Sequence, residues 1–141
     1  MSVVAIGNFD GVHLGHQAVV GRARDIATRE GLPSIALTFD PHPSVVLGRP
    51  KPPCLTTNAR RSRLLGQWAH RVHVQHFDAV FASLTPEAFV RDLLVRELGA
   101  KAVVVGHDFH FGKGRAGNGE TLRALGEGRF SVEIVSQLSA A

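Results

Sequence analysis

The chain has 141 residues, 44% of them hydrophobic, and a formal net charge of +4. That length suits one domain with a real core, and no run approaches the roughly 18 apolar residues of a membrane span. The excess of 16 Lys+Arg over 12 Asp+Glu suits anionic substrates such as nucleotides. It argues against nucleic acid, because no basic stripe is interleaved with aromatics and no zinc-finger spacing occurs. The N-terminus lacks a basic region followed by an apolar one, which predicts a cytoplasmic protein. The single cysteine, Cys54, cannot form an internal disulfide.

Val3–Ile6 reads as an apolar strand. It breaks into Gly7-Asn8-Phe9-Asp10-Gly11, then His13 and His16 with Gly15 between them. A helix is expected from about Gly15 to Arg29, with Val19, Ala23 and Ile26 on one side and Val20 and Ala27 close by. Strand, glycine-rich turn, then helix is how α/β proteins build a phosphate site, from backbone N–H groups and the helix N-terminus. Neither GxGxxG nor GxxxxGK[ST] is present. If the helix starts near Val12 or Leu14, the two histidines lie about one turn apart beside its open N–H groups. Imidazoles there could donate to a phosphate that gains charge in a transition state. A single imidazole capping the turn is the plainer alternative. A zinc site is disfavoured, since no matching Cys or acid cluster sits nearby. Asp10 could meet a metal or hydroxyl, or hold an Asx turn.

Gly31 and Pro33 end the helix. Ser34–Phe39 is nearly all apolar, which predicts a strand covered on both faces. Asp40-Pro41-His42-Pro43 is stiff and predicts neither strand nor helix. Residues 44–54, with several prolines, read as an exposed excursion. Thr56 or Thr57 can cap a helix to about Trp68, with Leu64, Leu65 and Trp68 apolar and Arg60, Arg61 and Arg63 on a solvated face. Val72–His76 alternates as a short strand.

Thr85-Pro86-Glu87 is a helix start, with a hydroxyl cap, proline at the first helical position and an acid in the first turn. That helix carries Phe89, Val90, Leu93, Leu94 and Leu98 and stops at Gly99. Ala102–Val105 is a buried-looking strand, followed by a polar glycine-rich loop over 106–119. A short helix over Glu120–Leu125 and a strand over Phe130–Val135 complete the chain. Strands and helices alternate, which predicts a parallel sheet with helices on both faces. Ligands should sit beyond the C-terminal strand ends. There the segments Gly7–His16, Asp40–Pro43 and Gly106–Gly119 would gather. In the last of these, Phe109 and Phe111 bracket His110, and Lys113 and Arg115 add charge. The mixture suits a planar ring beside a phosphate, although the phenylalanines could simply anchor the loop. No G-x-S-x-G elbow is present, so direct in-line transfer is favoured over a covalent nucleophile.

GNFDGVHLGHQ at 7–17, TFDPHP at 38–43, FASLTPEAF at 81–89 and GHDFHFGKGRAGN at 106–118 resemble one family. It is the FMN adenylyltransferase (FAD synthetase) module of prokaryotic bifunctional riboflavin kinase/FMN adenylyltransferases. The resemblance implies a Rossmann-like three-layer α/β/α nucleotidylyltransferase fold with a mostly parallel sheet. It implies that ATP and FMN give FAD and pyrophosphate, with Mg2+ accompanying ATP. Its catalytic residues would be His13 and His16. Its nucleotide-binding residues would be Gly7, Asn8, Phe9, Asp10, Gly11 and Gly15. The loops toward flavin and ATP would supply Thr38, Phe39, Pro41, His42 and Pro43. From the second loop come Gly106, Asp108, Phe109, His110, Phe111, Gly112, Lys113, Arg115 and Asn118. No side chain is singled out as a metal ligand.

The sequence departs from the family pattern at His110, usually arginine, and at Asn118, often aspartate. It also stops at Ala141, before the family's serine-rich I-S-S-[ST]-x-x-R element and the riboflavin kinase domain. The expectation is therefore one domain over 1–141 whose transfer activity is weak or lost. A flavin- or nucleotide-binding protein without catalysis, and a nucleotidyltransferase for another small phosphorylated acceptor, are the alternatives. ATP and FMN are the expected partners, with no nucleic acid and no membrane.

Overall fold

A computed structural model describes residues 1–7, 14–40, 63, 65–107, 109–112 and 117–135, with backbone alone at 14–16. The chain forms β1 (Ser2–Ile6), α1 (Leu14–Glu30), β2 (Ser34–Asp40), β3 (Arg71–His76) and α2 (Ala79–Ala82). A one-turn α3 (Pro86–Ala88) then runs into a π-helical stretch, Phe89–Glu97. After it come β4 (Ala100–Gly106), β5 (His110–Phe111), β6 (Gly117–Asn118), α4 (Gly119–Leu125) and β7 (Ser131–Val135).

Five strands form one sheet in the order β3-β2-β1-β4-β7, and every neighbouring pair is parallel. Alternation along each strand divides the core in two. Val3, Ala5, Ala36, Ala102 and Val104 face α1, whose Val19, Val20, Ala23, Ile26 and Ala27 are all buried against them. Alanines on both sides let the helix approach closely. The opposite face carries larger groups: Val4, Ile6, Ile35, Leu37, Phe39, Val103 and Val105. They pack on Phe89, Val90, Leu93 and Leu94 and on Leu122 of α4. Burying each such side chain stabilises the fold by about 1.5–3 kcal/mol. The result is the expected three-layer α/β/α arrangement, with β2 covered on both faces.

Helix boundaries follow local chemistry. Thr85 Oγ1 accepts from Ala88 N at 3.2 Å, with Pro86 at the first helical position. Gly31 and Gly99 end their helices at φ of 69° and 59°, a region that costs glycine little.

Several expectations need correction. Helix 85–98 is only one turn of α-helix before its wider π-helical course. Its end is fixed by Leu98 N donating to Leu93 O at 2.9 Å, five residues back. Trp68 is 37% exposed rather than packed inward. The chain turns there, with Trp68 N and Ala69 N both donating to Leu65 O. Leu65 and Ala69 take the buried places; Leu64, Arg60 and Arg61 lie outside the described residues. Asp40 is the last residue of β2, not part of a non-strand segment. It pairs with His76 in the register. The loop 106–119 contains a two-stranded antiparallel hairpin, β5–β6.

Candidate active site

The strand order turns at β1. The chain runs outward from β1 to β2 and β3, then crosses back to β4 and β7 on the other side. In a parallel sheet this reversal opens a crevice beyond the C-terminal ends of the two strands that flank it, here β1 and β4. Those two strands feed the two glycine-rich segments. Gly7 follows β1 and donates its N–H to Leu37 O at 3.1 Å, so the first segment leaves from a fixed point. Gly106 ends β4 opposite Val135. Its carbonyl accepts from Phe109 N at 3.2 Å, which turns the second segment at once.

The second segment is anchored by aromatic packing. Phe109 and Phe111 stack with ring centroids 5.5 Å apart and planes 12° apart. Phe111 is buried and lies 5.0 Å from Phe89. The series continues through Phe81 to Phe77 and Phe39, each step being 6.0 Å or less. Six rings thus run from the end of β2 to the hairpin. A methyl group added at Gly117 would stand 2.6 Å from the Phe111 ring. Glycine there allows the hairpin to close over that ring. Asn118 Oδ1 accepts from Thr121 N at 3.0 Å and caps α4.

The FAD synthetase family matches residues 1–141. The chain belongs to that family. It is 42% identical to the bifunctional riboflavin kinase/FMN adenylyltransferase of Listeria monocytogenes over 99% of this chain and 45% of that protein. The Bacillus subtilis protein of the same name is 40% identical, over 98% of this chain and 44% of its own length. The Escherichia coli K12 protein is 38% identical, over 88% and 40%. The chain therefore spans less than half the length of these relatives. A crystal structure described as a macrolide-efflux protein from Streptococcus pneumoniae is also similar. It has a TM-score of 0.81 and 32% identity, over 96% of this chain and 44% of that one. Among the described residues, no helix is long and apolar enough to cross a membrane.

Of the residues the family resemblance singles out, Gly7 and Gly106 lie at the ends of the two crevice strands. Gly15 and His16 are the second and third residues of α1, so this helix begins within the range expected. Phe109 is half-buried and His110 exposed on the hairpin. Thr38, Phe39 and Phe111 are buried. Gly112 has a φ of 80°. Asn8, Phe9, Asp10, Gly11, His13, Pro41, His42, Pro43, Asp108, Lys113 and Arg115 lie outside the described residues.

Phe77 and Phe81 were not expected near the site. Their four-residue spacing across Asp78, which caps α2 by accepting from Phe81 N at 2.8 Å, is the signal that marks them. Among the described residues, no group of three or more His, Cys, Asp or Glu is placed to hold a metal.

Proposed function

We propose that this chain transfers the adenylyl group of ATP to FMN, giving FAD and pyrophosphate. We also propose that residues 1–141 form one nucleotidylyltransferase domain. The observation that carries the reading is the family match over the whole chain. The strand reversal, with both glycine-rich segments leaving the sheet at the ends of β1 and β4, supports it.

An FMN phosphate oxygen attacks the α-phosphorus of ATP. A new P–O bond forms as the α–β bridging P–O bond breaks, and pyrophosphate leaves. The attacker is already ionised, so no general base is required. His16, the third residue of α1, and His13, three positions before it in sequence, donate hydrogen bonds to phosphate oxygens as charge builds. Asn8, Phe9, Asp10, Gly11 and Gly15 cradle the nucleotide through backbone N–H groups, while Gly7, whose own N–H is bound to Leu37 O, fixes where the turn leaves β1. Mg2+ neutralises phosphate charge when bound. Thr38–Pro43 borders the mouth. The hairpin and its flanks, with Asp108, Phe109, His110, Lys113, Arg115 and Asn118, take the flavin and the adjoining ATP. ATP as donor assigns the reaction to the cytoplasm.

The test is FAD and pyrophosphate production by the purified chain with FMN, ATP and Mg2+, beside His16→Ala. The expected result is weak product formation, lowered further in the variant by about 10²–10³-fold. Retained FMN binding with no product would replace this reading with that of a non-catalytic flavin-binding protein. Equal turnover of unrelated phosphate monoesters would point to another acceptor.

A further inference from the structure

The glycines of the second loop approach protein, and one of these contacts joins the hairpin to a helix outside the crevice strands. A methyl group added at Gly112 would stand 2.9 Å from Pro86 Cγ, 3.0 Å from its Cδ and 3.1 Å from its N. The Gly112 backbone therefore rests directly on the proline ring, and its φ of 80° is the conformation that glycine supplies.

The ring itself is fixed. Its own φ is locked, and it occupies the first position of α3. Behind it, Phe89 N donates to Thr85 O at 3.0 Å, a backbone bond that does not depend on the Thr85 side chain. Beside Gly112, the Phe111 ring is held between Phe89 and Gly117, and Phe109 stacks on it. The pose of Phe109 and His110 is thus set from below by two residues of one helix start.

We infer that Pro86 is a positioning residue for the acceptor-binding loop. It acts as a rigid stop that fixes the β5–β6 hairpin at the height from which Phe109 and His110 meet the acceptor. This rests on the adenylyl-transfer reading for its substrate, but its geometric half stands without it.

The test compares Pro86→Ala with Thr85→Ala in the whole chain. Both alter the start of α3, and only the first removes the surface beneath Gly112. Steady-state rates give KM for FMN, KM for ATP and kcat. Hydrogen–deuterium exchange is followed in peptides covering 110–118 and 2–6. The expected result for Pro86→Ala is a rise of about five- to tenfold in KM for FMN, with KM for ATP and kcat within about twofold. Exchange quickens at 110–118 and not at 2–6. Thr85→Ala shows neither change. Equal effects from the two variants, or unchanged KM and exchange in Pro86→Ala, would overturn the inference. Should the unmutated chain form no FAD, the functional reading fails by itself, and the exchange data decide the positioning role. Loosening of 110–118 confined to Pro86→Ala upholds it, and uniform or absent change refutes it.

Discussion

His110 and Asn118 stand directly opposite each other across the β5–β6 hairpin. They are also the two positions where the family resemblance leads one to expect arginine and, often, aspartate. The two residues thus form one cross-strand pair on the hairpin. Asn118 has a second task, since its Oδ1 accepts from both Thr121 N and Thr121 Oγ1.

That second task sets the first prediction. Asn118→Ala should lower unfolding free energy by about 1 kcal/mol, the usual worth of a helix cap. Asn118→Asp should stay within about 0.5 kcal/mol of the parent, because a carboxylate caps equally well and suits the helix N-terminus. Urea unfolding at neutral pH measures both. Equal losses in the two variants would show that the cap is not what Asn118 supplies.

Two glycines should respond oppositely to the same change. Gly21 lies inside α1, and a methyl group added there meets nothing within 4 Å. Gly21→Ala should stabilise the protein by about 0.5–1 kcal/mol through helix propensity. Gly117→Ala should destabilise by about 1–3 kcal/mol, because the new methyl collides with Phe111 and overpacks the hairpin. A pair of thermal melts decides this: the midpoint should rise for the first and fall for the second.

Much of this architecture was legible because its signals are local. Apolar runs marked β1, β2 and β4; Thr85-Pro86-Glu87 marked a helix start; Gly31 and Gly99 marked helix ends. Each depends on neighbours within a few residues. The sheet order and the Phe111–Gly117 pairing depend on residues far apart or on loop closure, which no period reveals. Trp68 misled because a hydrophobic residue at helical spacing looks buried, whereas the chain turns after Leu65 and Ala69 takes the inner place. At the site, the motif residues singled out the segments that follow β1, β2 and β4. Packing showed what the alphabet could not: Thr38, Phe39 and Phe111 are buried, and Phe77 and Phe81 join Phe39 to Phe89 and Phe111 in one series of rings.

The entrances to β2 and β3 are clasped by one reciprocal pair. Ser34 N–H donates to His70 Nδ1 at 3.0 Å, and His70 N–H donates to Ser34 Oγ at 3.1 Å. Ser34 Oγ also lies 2.9 Å from Nδ1. Ser34 is wholly buried, while His70 is exposed. His70→Ala therefore strands buried polar atoms and should cost about 1–3 kcal/mol. Ser34→Ala frees His70 toward water and should cost less, about 0.5–1.5 kcal/mol. Chemical denaturation of both variants and their double mutant checks the order and the expected non-additivity.

Arg22 of α1 reaches across to Glu133 of the edge strand β7 through a two-pronged contact. Arg22 Nη2 donates to Oε1 at 3.1 Å, and Nε donates to Oε2. This hydrogen bonding raises the Arg22 pKa above its ordinary value, with the Glu133 charge adding to the effect. Both side chains are 41% exposed, so solvent screening limits what the pair contributes. A double-mutant cycle with Arg22→Ala and Glu133→Ala should give a coupling of about 0.3–1 kcal/mol at low salt. It should shrink by half or more near 1 M salt, where the screening length falls to about 3 Å. A coupling well above 1 kcal/mol that ignores salt would mean that α1 and β7 exclude water from the pair, and that this contact closes the edge of the sheet.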